Sequence, residues 1–472
     1  MKIFRAETIL FLLMLMSMRN ALYSEQTEQY KQVSCAVHVH SNYSGGKNQN
    51  LSEVVKKAIE KKIAVLVPTD HAIMKWEYGI FPLRNLLKAS KSENSILKLG
   101  PKNYLEEIRK LQEQNPEILL IPGTETAAYY YWSGSPLKGD LKLNDWHKHM
   151  LLIGMDKETD YKNLPLLSNW NVGKFNFLAF WPVLLMLLAY AAPDKRVRIF
   201  LFAVSALILL NNYPFRITGY GQYSGSKGEK PYQALIDYAG SKGALVFWAH
   251  PDAPNWAKPV KVGPASIATK QYSQSLLENT GYDGFAVFSE GYKVTGAIGG
   301  PWDKALMEYC AGAREKPVWA IGELDYNGEY PKNMADIQNM LWVKTLDKSS
   351  VLNALKNGIF YVRWAKESWG VNLLDFNVKS GKRQWLYGRE LPYDGKPRIV
   401  ISLEASDAGQ HPAKINIIKN GKLLNTMHVT LPGRFAFEDF SEIEDGKSYY
   451  RVFVDAGYPN YIITNPVFVD KK

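Results

Sequence analysis

Cysteine is almost missing from this chain: Cys35 and Cys310 are the two in 472 residues. One pair permits at most one disulfide, so no disulfide framework builds the fold. In an exported protein the two could pair; as inert buried thiols they need no partner. Blocks of Lys and Arg and basic-aromatic modules are also absent, which argues against a nucleic-acid surface. Lys plus Arg still total 57 against 46 Asp plus Glu, a net charge of +11. That mild excess suits an anionic substrate or an anionic membrane surface, and equally an ordinary solvated surface. Motifs that would read a base or a sugar are missing, so the sequence does not spell out a substrate. Histidine is scarce as well, with eight residues, which makes their placement informative.

Lys2 and Arg5 precede an apolar run over residues 9–18 and a polar Ser24-Glu25-Gln26. This reads as a secretory signal over residues 1–24, and hence as an exported chain. Downstream, apolar strand-like runs fall at residues 33–39, 63–68, 118–122, 150–153, 244–248, 284–288 and 317–321. Helix-like segments separate them at 51–62, 103–114, 232–241, 267–279 and 302–314. Near-continuous apolar strands alternating with helices predict a parallel sheet covered on both faces. Seven of them predict a closed α/β barrel over residues 31–365. From residue 370 short alternating runs and turns such as Asn420-Gly421 take over and predict an all-β sandwich to residue 472.

The stretch 173–214 interrupts this pattern. Residues 175–192 carry no charge, 199–210 carry none either, and Lys195, Arg196 and Arg198 lie between them. Few soluble cores contain such runs, so the expectation is a transmembrane helical hairpin, with a shallow re-entrant hairpin as the alternative. The basic tip would lie on the cytoplasmic side and the remaining chain outside.

Metal-capable residues recur at the ends of the expected strands. His38 and His40 close the first; on a strand, positions i and i+2 share a face, so two imidazoles reach one ion. Thr69-Asp70-His71 closes the second, Gly123-Thr124-Glu125 the third, and His149 lies on the fourth with His147 beside it. Ala249-His250-Pro251 closes the fifth, and Gly322-Glu323-Leu324-Asp325-Tyr326-Asn327 the seventh. Each alone could be a hydrogen-bonded core group; in barrels of this kind the strand C-termini form the active face.

In combination, these motifs resemble the PHP (polymerase and histidinol phosphatase) domain, a metal-dependent phosphoesterase on a distorted seven-stranded TIM-like barrel. The resemblance implies one metal held by His38, His40, Glu125 and Asp325, and a second held by His149, His250 and the shared Glu125. Neutral imidazoles and carboxylates suit zinc, manganese or iron. A third site is implied to be absent or weak, because Asn327 stands where the family has His and Gly45 where it has Asp. Asp70 and His71 are then the catalytic candidates, His71 as general acid or phosphate-oxygen donor. The implied activity is hydrolysis of an anionic phosphate ester, lipid-linked if the membrane hairpin crowds the site. The alternative is a non-catalytic or weakly catalytic surface protein that binds metal or, through Tyr129-Tyr130-Tyr131-Trp132, carbohydrate.

Overall fold

The computed structural model describes residues 30–44, 49–253, 257–328, 333–366, 368–381, 383–385, 388–442 and 445–472. The expected signal segment and Gly45 lie outside them.

The chain enters as β1 (Lys31–Val39), and its helix α1 (Leu51–Glu60) leads back to β2 (Val65–Pro68). Asn50 caps α1, accepting from Glu53 N while the Glu53 side chain returns to Asn50 N, so both donors at the helix start are satisfied. A hairpin of β3 (Lys75–Gly79) and β4 (Lys88–Ser92) follows, then α2 (Pro101–Gln114) and the two-residue β5 (Leu119–Leu120). After Pro122 come β6 (Gly123–Ala127) and β7 (His149–Ile153). Helices α3 (Trp181–Tyr190) and α4 (Lys195–Asn211) form the expected hairpin segment. Then α5 (Lys230–Ser241), β8 (Leu245–Trp248), β9 (Gly284–Phe288), α6 (Pro301–Cys310) and β10 (Trp319–Gly322) alternate. The first unit ends with β11 (Ile337–Val343), α7 (Lys348–Lys356) and β12 (Phe360–Trp364).

Among the described residues no closed barrel forms. The strands divide into two sheets, one running β12-β11-β1-β2-β5 and the other β10-β9-β8-β7-β6. The expected third strand is itself split at Pro122: Leu119–Leu120 pairs with β2, whereas Gly123–Ala127 pairs with β7. Nor is the sheet all parallel, because β7 runs antiparallel to both β6 and β8. At one seam the ladder is replaced by side-chain amides. Asn339 takes Gly322 N at 2.7 Å and donates to Gly322 O at 2.9 Å; Asn465 takes Ala320 N at 2.8 Å. Gly322 is required there, since a Cβ would come within 2.6 Å of Val362 Cγ1. At the other seam the isolated parallel bridge His71↔Glu125 and the Thr124 Oγ1 bond to Asp70 O at 2.7 Å join the sheets, and Val39↔Tyr326 stitches β1 to the segment after β10. The sheets part where the metal-capable residues sit.

The transmembrane expectation is also overturned. Among the described residues no helix is long and apolar enough to cross a membrane. The uncharged run is broken into the end of a two-residue strand, Lys174–Phe175, a 3-10 turn over Phe177–Phe180 and the ten residues of α3. In α4 the cations Lys195, Arg196 and Arg198 occupy the first turn, leaving an apolar stretch of about 18 Å against a hydrocarbon core of about 30 Å. The segment expected as a helix over 267–279 begins instead with a strand, Ala265–Ala268.

In the C-terminal region β13 (Val371–Ser380) and β14 (Arg398–Ala405) belong to a four-stranded sheet. Strands β15 (His411–Lys419), β16 (Gly446–Asp455), β17 (Tyr461–Thr464) and β18 (Val467–Lys471) do not form a free-standing partner sheet. They continue the first sheet, with β17 paired to β12. An apolar core of Leu373, Phe376, Ile401, Ile415, Val452 and Ile462 lies between the two sheets. The contact with the first unit joins aromatic packing, such as Phe468 on Tyr309 and Trp319, to a buried polar cluster: Arg451 Nε and Nη2 each reach an Asp303 carboxylate oxygen at 2.7 Å, and Tyr449 Oη donates to Asp303 Oδ1 at 2.7 Å.

Candidate metal centre

Three of the expected ligands sit on left-handed backbone: His38 at φ 66°, His250 at φ 30° and Asp325 at φ 43°. Such conformations are strained for non-glycine residues and cluster at functional sites. At His38 the strain has a local meaning, because the register between β1 and β2 shifts between Val37 and Val39. The irregularity falls at His38, whose ring centroid lies 5.2 Å from that of His40.

Five imidazoles converge on one carboxylate. Glu125 Oε2 lies 3.2 Å from His38 Nε2, His40 Nε2 and His71 Nδ1; Oε1 lies 2.6 Å from His149 Nδ1 and 3.1 Å from His250 Nε2. Asp325 Oδ1 adds a second carboxylate, 3.5 Å from His40 Nε2 and 3.8 Å from His38 Nε2. Three sets of ligand atoms are close enough to share an ion: His38, His40 and Asp325; His38, Glu125 and His250; His40, His71 and Glu125. All these residues are buried except His71 and Asp325, which are partly exposed.

The outer nitrogens of three rings are fixed by hydrogen bonds. His38 Nδ1 donates to Glu323 Oε2 at 2.7 Å. Tyr272 Oη donates to Ala249 O at 2.5 Å, so it accepts from His250 Nδ1 at 2.9 Å. Ser44 Oγ donates to Asp70 Oδ1 at 3.0 Å, so it accepts from His40 Nδ1 at 3.2 Å. With Nδ1 protonated in each case, Nε2 of each ring is the nitrogen left to bind an ion in the cluster, and His38 Nε2 is buried without a hydrogen-bond partner. A divalent ion satisfies such an arrangement: imidazole and carboxylate donors held by hydrogen bonds from behind are the donor set of zinc, manganese or iron sites.

Without metal the cluster is charged. Burial depresses His38, yet Glu125 and Glu323 together hold it well above the ordinary value. Burial likewise opposes the charge on His40, but hydrogen bonds to Asp325 and Glu125 raise it to about 9. Glu125 is pulled well below the carboxylate range by His149, His38 and His71, against the effect of burial. His71 is pushed well below its ordinary value by burial, and His147 falls to about 3 for the same reason. Because His38 and His40 carry protons at neutral pH, metal must displace them. Affinity for zinc is expected to rise with pH up to about 9, with one to two protons released at pH 7. Calorimetry in buffers of different ionisation heat measures this directly. The metal-free fold should respond in the opposite sense. His40 titrates near 6.5 when unfolded and near 9 when folded, so its contribution is full below about 6.5 and is lost as pH rises through 9. Melting of the chelated protein should therefore fall over that window, and a flat profile would contradict the assignment.

Residues 36–180 match the family model described as "PHP domain". Residues 36–180 form a PHP domain. His38, His40, Asp70, His71, Glu125 and His149 lie inside the matched span, and His250 and Asp325 lie beyond it. No curated protein matches the chain at a significant level. Among solved structures, a two-domain protein containing a predicted PHP-like metal-dependent phosphoesterase from Bacteroides vulgatus ATCC 8482 is similar, at 12% identity and a TM-score of 0.35. That alignment covers 89% of this chain and 90% of the other. A proposed metal-dependent phosphoesterase from Bifidobacterium adolescentis ATCC 15703 matches at 12% identity and a TM-score of 0.31, covering 69% of this chain and 97% of that one.

The cluster brings together all six residues expected as ligands. His149 rather than His147 meets Glu125, and His147 stands 5.9 Å from the His149 ring. His71 belongs to the cluster itself. Asp70 faces the loop after β1: its oxygens accept from Ser41 N at 2.8 Å, Ser41 Oγ at 2.7 Å and Ser44 Oγ at 3.0 Å. Burial raises its pKa. Three contributors carried no assignment in the sequence. Glu323 is visible as a strand-end carboxylate two positions before Asp325, whereas Ser44 and Tyr272 give no local signal. Replacing Glu323 by Gln or Tyr272 by Phe is expected to weaken zinc binding by about 10–100-fold, read by competition with a chromogenic chelator. The Tyr129–Trp132 run does not form a carbohydrate platform: Tyr129, Tyr130 and Trp132 are buried in the core.

Proposed function

We propose that the chain hydrolyses phosphate esters through a dinuclear metal centre. One ion is held by His38, His40, Glu125 and Asp325, and the other by His149, His250 and the shared Glu125. The observation that carries this reading is the single buried carboxylate with an imidazole nitrogen within 3.2 Å of either oxygen on five sides. When bound, two divalent metals supply Lewis acidity for a phosphoryl oxygen and activate a water for in-line attack.

The protein's own groups do the rest. Glu323, Tyr272 and the Ser44–Asp70 pair keep each imidazole in the tautomer that presents Nε2. His71, kept uncharged by burial and with Nδ1 turned to the Glu125 carboxylate, carries its proton on Nδ1 and leaves Nε2 to accept from a water or a substrate hydroxyl. Asp70 acts through Ser44 on His40 and so positions a ligand without touching substrate. The test is metal analysis of the purified protein followed by a panel of phosphomonoesters and phosphodiesters with and without chelator. Turnover that disappears on chelation and returns with zinc or manganese is expected. Metal-loaded protein that turns over no ester on the panel would favour the non-catalytic alternative.

A further inference from the structure

We propose that the α3–α4 hairpin and the β3–β4 tip together form a docking surface for an anionic lipid bilayer, lying on the membrane without crossing it. The two elements are far apart in sequence and form one body. Asn85 N donates to Asn211 Oδ1 at 2.9 Å, Asn85 Nδ2 donates to Asn211 O at 2.7 Å, and the Arg84 guanidinium stacks 3.8 Å over Tyr223. On this body large apolar side chains face solvent: Phe177 is 81% exposed, Leu188 68%, Phe200 65% and, on the β3–β4 tip, Phe81 77%. Neither helix offers a polar side to water, since exposed apolar residues lie around both. Contiguous apolar surface of this extent marks an interaction site.

The shape and charge select the occupant. The hairpin is a projection and not a groove, and it is apolar on several faces at once. A fluid hydrocarbon boundary can cover such a body, whereas one protein partner would cover one face. Its charges complement anionic headgroups: residues 173–217 contain Lys174, Lys195, Arg196, Arg198 and Arg216 against Asp194 alone. The Asp194 side chain is committed to capping α4, accepting from Arg196 N at 2.7 Å and Val197 N at 3.0 Å. Apolar side chains sunk about 5–10 Å into the headgroup boundary with cations at that level is the interfacial mode. The segments that lead to the tip and the hairpin reach the histidine cluster, because Ile73, Met74 and Leu166 line a small pocket with His149. Lipid docking stands independently of the hydrolase reading.

The experiment is flotation of the full chain with vesicles of phosphatidylcholine alone and of phosphatidylcholine with a minority of phosphatidylglycerol. The wild-type chain should bind the mixed vesicles at least about tenfold more tightly, and salt should weaken that preference. Leu184→Ser with Leu187→Ser and Leu188→Ser should lower partitioning on the order of a hundredfold or more. Phe81→Ser with Leu87→Ser should lower it independently, and Lys195→Glu with Arg196→Glu should abolish the preference for phosphatidylglycerol. Zinc binding, measured on the same samples, should be unchanged and so shows that the variants are folded. The apolar run at residues 9–18 is common to every variant, so any difference reads the proposed surface. Vesicle binding that both sets of serine variants retain at wild-type strength overturns the proposal. So does a wild-type chain that ignores both vesicle types and self-associates through the hairpin.

Discussion

Glu125→Ala is expected to lose both metals at once and to lower ester hydrolysis by at least about a thousandfold, since several kcal/mol of charge stabilisation disappears with the ions. The reason is geometric. Among the described residues no other side chain meets His38, His40, His71, His149 and His250 together, and removal leaves buried imidazoles facing one another without the carboxylate. Asp325→Ala removes one partly exposed carboxylate and should empty mainly the ion bound by His38 and His40. Metal stoichiometry by mass spectrometry under non-denaturing conditions separates the two outcomes. Two ions retained in Glu125→Ala would end the shared-carboxylate assignment.

The second large effect concerns stability. Asp303→Ala should destabilise the protein by about 3–5 kcal/mol, because it strands the Arg451 guanidinium in the interior. Both partners are 1% exposed, and the guanidinium also stacks 4.5 Å over Trp302. The loss should shift urea unfolding of both the metal-binding unit and the C-terminal strands, since α6 carries Asp303 and β16 carries Arg451. A double variant, Asp303→Ala with Arg451→Met, should recover much of the loss, since the cost lies in the uncompensated charge. A midpoint unchanged in Asp303→Ala would show that water reaches Arg451.

The six candidate ligand residues were legible as a group because each ends a strand or lies beside one, and because His38 and His40 are two apart. Glu323 could have been read from the same rule. Tyr272 could not: it reaches His250 from a segment read as part of a helix, through a contact that has no periodicity. Strand direction was equally hidden. A run such as Met150–Leu151–Leu152–Ile153 is fully buried on both faces, and nothing in it distinguishes parallel from antiparallel pairing. The open seams were invisible for a related reason, since Asn339 and Asn465 replace ladder bonds with side-chain amides. The hairpin misled because hydropathy counts apolar residues without regard to the turn at Phe177–Phe180 that shortens the helix.

The position of β1 sets a timetable. It lies between β2, a neighbour in sequence, and β11, with Lys31 opposite Val343 and Cys35 opposite Asn339. On a ribosome adding about 5–20 residues per second, roughly 15–60 s separate the synthesis of the two strands. For that interval one edge of β1 has no native partner, and the irregularity at His38 has nothing on its far side to hold it. Asp325 emerges just before β11, so the ligand set and the strand that braces it become available almost together. Metal supplied during translation should therefore find the site of His38, His40, Glu125 and Asp325 incomplete on chains arrested before residue 325, whereas the ligands of the second ion are all present from residue 250, so stalled nascent chains should reach their full zinc stoichiometry only past residue 325.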